Sequence, residues 1–157
     1  HNLFLSHLYA PVGLSVLLVF YSRLLNTYLS RSMVWVVGIG YVLYAVGYAM
    51  LPGNLERFNA GPLVVECVIM IVLTVYTYLV HLHTLSHSTA ALLNAGTSWI
   101  NAGFFVYFVS NLLLYYFSEI ITNLSPASFH ISWFFHAMVS TSLYSLLLIG
   151  LWKRLRS

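Results

Sequence analysis

The sequence predicts an all-α fold, a polytopic transmembrane helical bundle with five spans. Three observations predict it. Of 157 residues, 61% are hydrophobic and only 6% are charged, with mean hydropathy +0.88. A soluble domain carries about 25% charged residues, so a water-soluble core here lacks the groups to cover its surface. The apolar residues also gather into five runs close to the roughly 20 residues that a helix needs to cross a bilayer. Asn, Ser, Pro and Gly, the usual turn residues, punctuate the stretches between them. No polar linker divides the chain, and residues 1–157 read as a single transmembrane domain.

The first span is Leu3–Ser22, with Pro11 inside it as an expected kink. The second is Met33–Leu51, where Gly40 and Gly47 predict close approach to a neighbouring helix. The third, Gly61–Val80, places Pro62 in its first turn, where a missing N–H costs nothing. The fourth is Ser98–Phe117 and the fifth Phe129–Trp152. The connections are Arg23–Ser32, Pro52–Ala60, His81–Thr97 and Ser118–Ser128.

Basic residues orient the spans, because Lys and Arg concentrate in cytoplasmic loops. Arg23, Arg31, Lys153, Arg154 and Arg156 share one side, while the other holds Arg57 with Glu56 and Glu119. The N-terminus is therefore expected outside and the C-terminus in the cytoplasm of a bacterial inner membrane. Trp35, Trp99 and Trp152 fall near the inner boundary and Trp133 near the outer one, as an aromatic belt requires. The net charge of +3 does not point to nucleic acid, since the basic residues sit at span ends rather than on a patch. The lone cysteine, Cys67, has no partner for an internal disulfide.

Glu66 stands alone in the third apolar run, where an ionisable group is costly and normally faces partners or a cavity. At 1.5 Å per residue, Glu66 and His7 each lie about 6 Å into the outer leaflet, and Ser110, Asn111 and His136 about 9–10 Å deep. His7, Glu66, Asn111 and His136 thus form one polar layer drawn from four helices. Helical spacing predicts inward stripes: His7–Pro11–Ser15, Glu66–Met70–Thr77–His81, Asn101–Phe108–Asn111–Tyr115 and Trp133–His136–Ser140–Tyr144. The layer is a hydrogen-bonded plug that holds helices together, a site for a small polar or cationic ligand, or a proton or ion path.

No catalytic residue is assigned. The chain has no nucleotide-binding glycine loop, no HExxH and no aspartate. Ser140, Ser142 and Ser145 read as packing or backbone-bonding residues. No metal or cofactor is called for. His83 and His87, at i and i+4 in the histidine-bearing third loop, are weak zinc candidates, and a haem b between His7 and His136 is an alternative.

Short motifs distributed along the chain resemble an uncharacterised integral membrane family of Bacteroidota. They are His7, Tyr9 and Pro11 (H-x-Y-x-P), Phe58 and Asn59 (F-N), and Glu66 between Val65 and Cys67. Trp99, Ile100, Asn101 and Gly103 follow as W-I-N-x-G, with Tyr107 and Phe108, then Trp133 and His136 (W-x-x-H). Gly150–Lys153 closes the pattern as G-L-W-K. The resemblance implies two further helices ahead of the first motif, hence seven spans in the intact protein. It also implies a glutamate two residues after the proline and a charged third loop. This chain has Gly13 at the first position and an uncharged third loop.

The expected function is a non-enzymatic inner-membrane module, receptor-like or sensory, with a pocket formed by Glu66, His7, Asn111 and His136, and with Ser110 and Asn101 nearby. Two alternatives stand beside it: an accessory subunit of a larger membrane complex, and a haem- or quinone-associated redox protein. The expected partners are the lipid bilayer and other membrane subunits or copies of this chain, with no nucleic acid.

Overall fold

The structure, a computed structural model, describes residues 3–54, 60–87, 95–117 and 126–156. Among these residues there are five helices and no strand: α1 (Leu3–Leu24), α2 (Arg31–Ala49), α3 (Ala60–His87), α4 (Ala95–Tyr116) and α5 (Pro126–Arg156). Each contains a window long and apolar enough to cross a membrane. This is the length and composition of an integral membrane protein. Large apolar side chains lie open on the helix surfaces, among them Val36, Leu43 and Leu148.

Local chemistry sets the helix ends. Ser30 caps α2 in an extended conformation, its Oγ accepting from the Met33 N–H at 3.4 Å. Beyond α2, Leu51–Asn54 close a turn through the Asn54 N–H and the Leu51 carbonyl at 3.1 Å. Gly53 takes φ +80° there, after Pro52, as a type II turn demands. The Asn54 side chain donates to the Tyr48 carbonyl at 2.9 Å, which also accepts from the Leu51 N–H at 3.3 Å.

α3 and α5 run furthest beyond their sequence limits. α3 continues past Val80 to His87, so His81 and His83 stand on a helix rather than in a loop. Nothing between Val80 and His87 stops a helix: there is no Gly or Pro, and leucine recurs. α5 carries Lys153, Arg154 and Arg156 in its last turn, where cations suit the helix dipole. Glu56, Arg57, Phe58, Asn59 and Glu119 lie outside the described residues, as does the third connection from 88 to 94.

The chain groups into two compact units, His1–Glu66 and Cys67–Ser157, with the division falling within α3. In the first unit α1 packs on α2. The buried face of α1 is His7, Ala10, Leu14, Leu18, Tyr21 and Leu25, a helical stripe of three- and four-residue steps. It replaces the expected His7–Pro11–Ser15 face: Ser15 is exposed, and its hydroxyl donates to the Pro11 carbonyl at 2.6 Å. A serine satisfied by its own helix has no need of the interior. The start of α3 meets α2 where the Tyr41 hydroxyl donates to the Pro62 carbonyl at 3.1 Å. Beside it a Cβ on Gly61 would come within 2.9 Å of the Tyr48 ring.

In the second unit α4 and α5 form an antiparallel pair with extensive contact. A Cβ on Gly150 would lie 2.6 Å from Ile100 Cγ1 and 2.8 Å from the Gly96 carbonyl oxygen. One on Gly103 would meet the Leu146 Cβ at 3.1 Å. These glycines let the backbones touch, as small residues do in membranes. Gly40 and Gly47 do not play this part. A Cβ on either meets nothing within 4 Å, because the buried face of α2, Val34, Tyr41 and Ala45, lies elsewhere on the helix.

Candidate functional site

Two sets of buried polar residues stand out, one in each unit. The first is His7 on α1 and Glu66 near the start of α3, each placed separately. Glu66 is 6% exposed and His7 7% exposed. Glu66 Oε1 faces Gly13, where a Cβ would sit 3.5 Å away in ordinary van der Waals contact. Among the described residues, neither ring nitrogen of His7 has a hydrogen-bond partner. A buried polar group left unpaired costs about 1–3 kcal/mol. His7 is such a group, and it shares this unit with the buried carboxyl of Glu66.

Gly13 is the residue whose part only the structure reveals. It adjoins the Glu66 carboxyl, and glycine leaves the space beside it open.

The second cluster joins α4 and α5. The Asn111 side-chain amide donates to the Tyr107 carbonyl at 2.8 Å, which turns Oδ1 toward His136 Nδ1 at 2.6 Å. With that amide orientation, His136 Nδ1 carries the proton and donates, and in the neutral ring Nε2 is the acceptor. Tyr107, Tyr115 and Trp133 surround the imidazole with ring centroids 6.2, 6.2 and 5.8 Å away. The set follows from spacing: Tyr107 and Tyr115 flank Asn111 by four residues on either side, and Trp133 precedes His136 by three. It is a hydrogen-bonded, aromatic-walled histidine.

Asn101 and Ser110 take no part in that cluster. Asn101, fully buried, donates from Nδ2 to the Thr74 carbonyl at 3.2 Å and ties α4 to α3. It lies about 15 Å along α4 from Asn111. Ser110 lines a shallow groove with Ser132, Leu113 and Phe135, and neither Asn111 nor His136 borders it. Thus Asn111 and His136 are joined directly in the second unit, while His7 and Glu66 belong to the first. His83 is exposed on α3, and the side chain of His87 is outside the described residues. Among the described residues no three His, Cys, Asp or Glu side chains gather as metal ligands.

Near the charged end of the second unit, Lys153 Nζ sits 4.8 Å from the Trp99 ring centroid, and the Arg156 guanidinium 4.2 Å from that of Trp152. These pairings suit a membrane boundary, where aromatic rings and long cationic side chains meet headgroups.

Apolar helices of spanning length that carry buried polar groups define the class: an all-helical integral membrane protein. No family model, no curated protein and no solved structure matches this chain.

Proposed function

We propose that this protein is a receptor-like or sensory module of a bacterial inner membrane, and that His7 and Glu66 are its responsive groups. One observation carries the reading: the His7 imidazole, more than nine-tenths buried, has no hydrogen-bond partner on either ring nitrogen among the described residues, and the Glu66 carboxyl is buried in the same unit. Ionisable groups inside membrane helices are rare and mark ligand or proton sites by default. A small polar or cationic ligand supplies a counterpart for the imidazole and a donor for the carboxyl. The five-to-one division of basic residues supports a cytoplasmic C-terminus. The motif pattern from His7 to Lys153 supports membership of the Bacteroidota membrane family.

The test is the thermal stability of the detergent-solubilised protein between about pH 5 and 9, a range that spans the titration of ordinary imidazoles. The wild type is expected to change its midpoint with pH, and Glu66→Gln, which keeps shape and removes ionisation, to flatten that change. A Glu66→Gln protein that responds as the wild type does removes Glu66 from the proposal.

A second reading, a subunit of a larger membrane complex, draws on α5. Only 6% of its spanning window is buried, against 39% for α3, and Trp133, Phe134 and Phe135 are exposed in succession. Co-purification with other subunits in constant stoichiometry is its test.

A further inference from the structure

In the first unit, α1 and α2 border an open groove of about 560 Å³ that the His7–Glu66 proposal does not use. It has two chemically distinct ends. One end carries Arg23, Asn26 and Arg31. Arg23 occupies the last turn of α1 and Arg31 opens α2, so both guanidinium groups stand at the same end of the hairpin. The rest is apolar wall, with Leu18 and Val34 on its inner side and Val42 and Leu43 at the far end. The two serines along it are already satisfied. The Ser15 hydroxyl donates to the Pro11 carbonyl at 2.6 Å and that of Ser22 to the Val19 carbonyl at 2.8 Å. The floor is closed where α1 and α2 come nearest, since a Cβ on Gly38 would meet Leu18 Cδ1 at 3.2 Å.

The dimensions match one leaflet. From Arg31 to Leu43 α2 rises about 18 Å, and half of a hydrocarbon core of about 30 Å is about 15 Å. The two arginines therefore lie at headgroup level and the apolar wall reaches to the middle of the bilayer. Trp35, exposed one turn beyond Arg31, is the residue type that settles at this boundary.

Among the described residues the charges are unopposed. Arg23 and Arg31 are exposed and make no ion pair among the described residues. The acid described in this unit, Glu66, is buried on α3. Two like charges at one mouth repel each other unless an anion sits between them, and guanidinium pairs bind phosphate oxygens in bidentate fashion. An occupant must thus be anionic at one end and apolar for the depth of a leaflet.

We propose that the α1–α2 groove holds one anionic phospholipid, with its phosphate on Arg23 and Arg31 and an acyl chain along Leu18, Val34 and Leu43. A zwitterionic lipid presents its own cation to the arginines, and free phosphate leaves the apolar wall empty.

The experiment is native mass spectrometry of the full chain released from detergent micelles, with phosphatidylglycerol, phosphatidylcholine and inorganic phosphate added in separate titrations. One phosphatidylglycerol is expected to bind at least about tenfold more tightly than phosphatidylcholine, a difference of about 1.4 kcal/mol. Inorganic phosphate is expected to give no adduct at matching concentration. Arg23→Gln with Arg31→Gln should bring phosphatidylglycerol down to the level of phosphatidylcholine. Equal binding of the two lipids by the wild type overturns the proposal, and this comparison needs no variant to fold. Phosphatidylglycerol binding that survives both substitutions, a phosphate adduct as strong as the lipid adduct, or a dimer in place of a lipid adduct overturns it as well.

Discussion

The α1–α2 hairpin and the α4–α5 hairpin are built from similarly apolar helices, yet they pack differently. In the second, Gly96, Gly103 and Gly150 bring the two backbones together until a single Cβ would collide. In the first, Leu18 and Val34 occupy comparable positions, Gly38 alone lies close to its neighbour, and an open groove of about 560 Å³ runs beside them. Lipid gives helices little hydrophobic reason to associate, so close packing needs small residues on facing surfaces. Where both faces carry glycine the pair is sealed. Where one face is branched and bulky, space remains for something else.

Gly150→Val breaks the sealed pair, and it carries the largest expected effect. Its Cβ would meet Gly96 backbone as well as Ile100 side chain, and backbone cannot swing aside. Overpacking of this kind costs about 1–3 kcal/mol. Denaturation of the solubilised protein should show a loss in that range. A variant within about 0.5 kcal/mol of wild type, the usual span for surface changes, contradicts the α4–α5 contact itself.

The polar bond between the same helices is weaker than their steric fit. His136 Nδ1 and Asn111 Oδ1 are 2.6 Å apart, the partners held by Tyr107 and the surrounding rings. Interhelical hydrogen bonds in membranes average about 0.6 kcal/mol and reach about 1.7. A double-mutant cycle with Asn111→Leu and His136→Leu should therefore return a coupling of about 0.6–1.7 kcal/mol, below the loss in Gly150→Val. A coupling near zero leaves the two side chains adjacent without a bond. A coupling above the steric loss makes the polar cluster, and not glycine, the main tie of this hairpin.

Composition and run length predict five apolar helices because both signals are strong: a run of some twenty apolar residues has few other fates. The inward face of each helix is harder to read. In water the apolar stripe points in, but these helices are apolar all round, so periodicity carries little contrast. His7 shows the consequence. Its spacing to Pro11 and Ser15 suits an inward stripe, whereas its buried companions are Ala10, Leu14 and Leu18. The pairing of Asn111 with His136 fits the estimate of depth along each helix. The place of Gly13 against Glu66 does not follow from spacing, since that contact depends on the rotation of two helices about their own axes.

Gly40 offers the smallest effect and a sharp contrast with Gly96. Both are glycines within spanning helices, and only their surroundings differ. A Cβ at Gly96 would lie against the Gly150 carbonyl and 2.9 Å from the Arg154 backbone nitrogen, while one at Gly40 meets nothing within 4 Å. Gly40→Ala also removes the backbone freedom that makes glycine unfavourable in a helix, worth about 0.8–1.0 kcal/mol in soluble hosts. The expected result is a stability unchanged or raised by up to about 1 kcal/mol, with Gly96→Ala lowered in the same assay. If Gly40→Ala is instead the more damaging of the two, α2 has a close neighbour on its open face. That neighbour would come from outside the described residues, and the looser packing of the first hairpin would then reflect a missing partner and not its residue types.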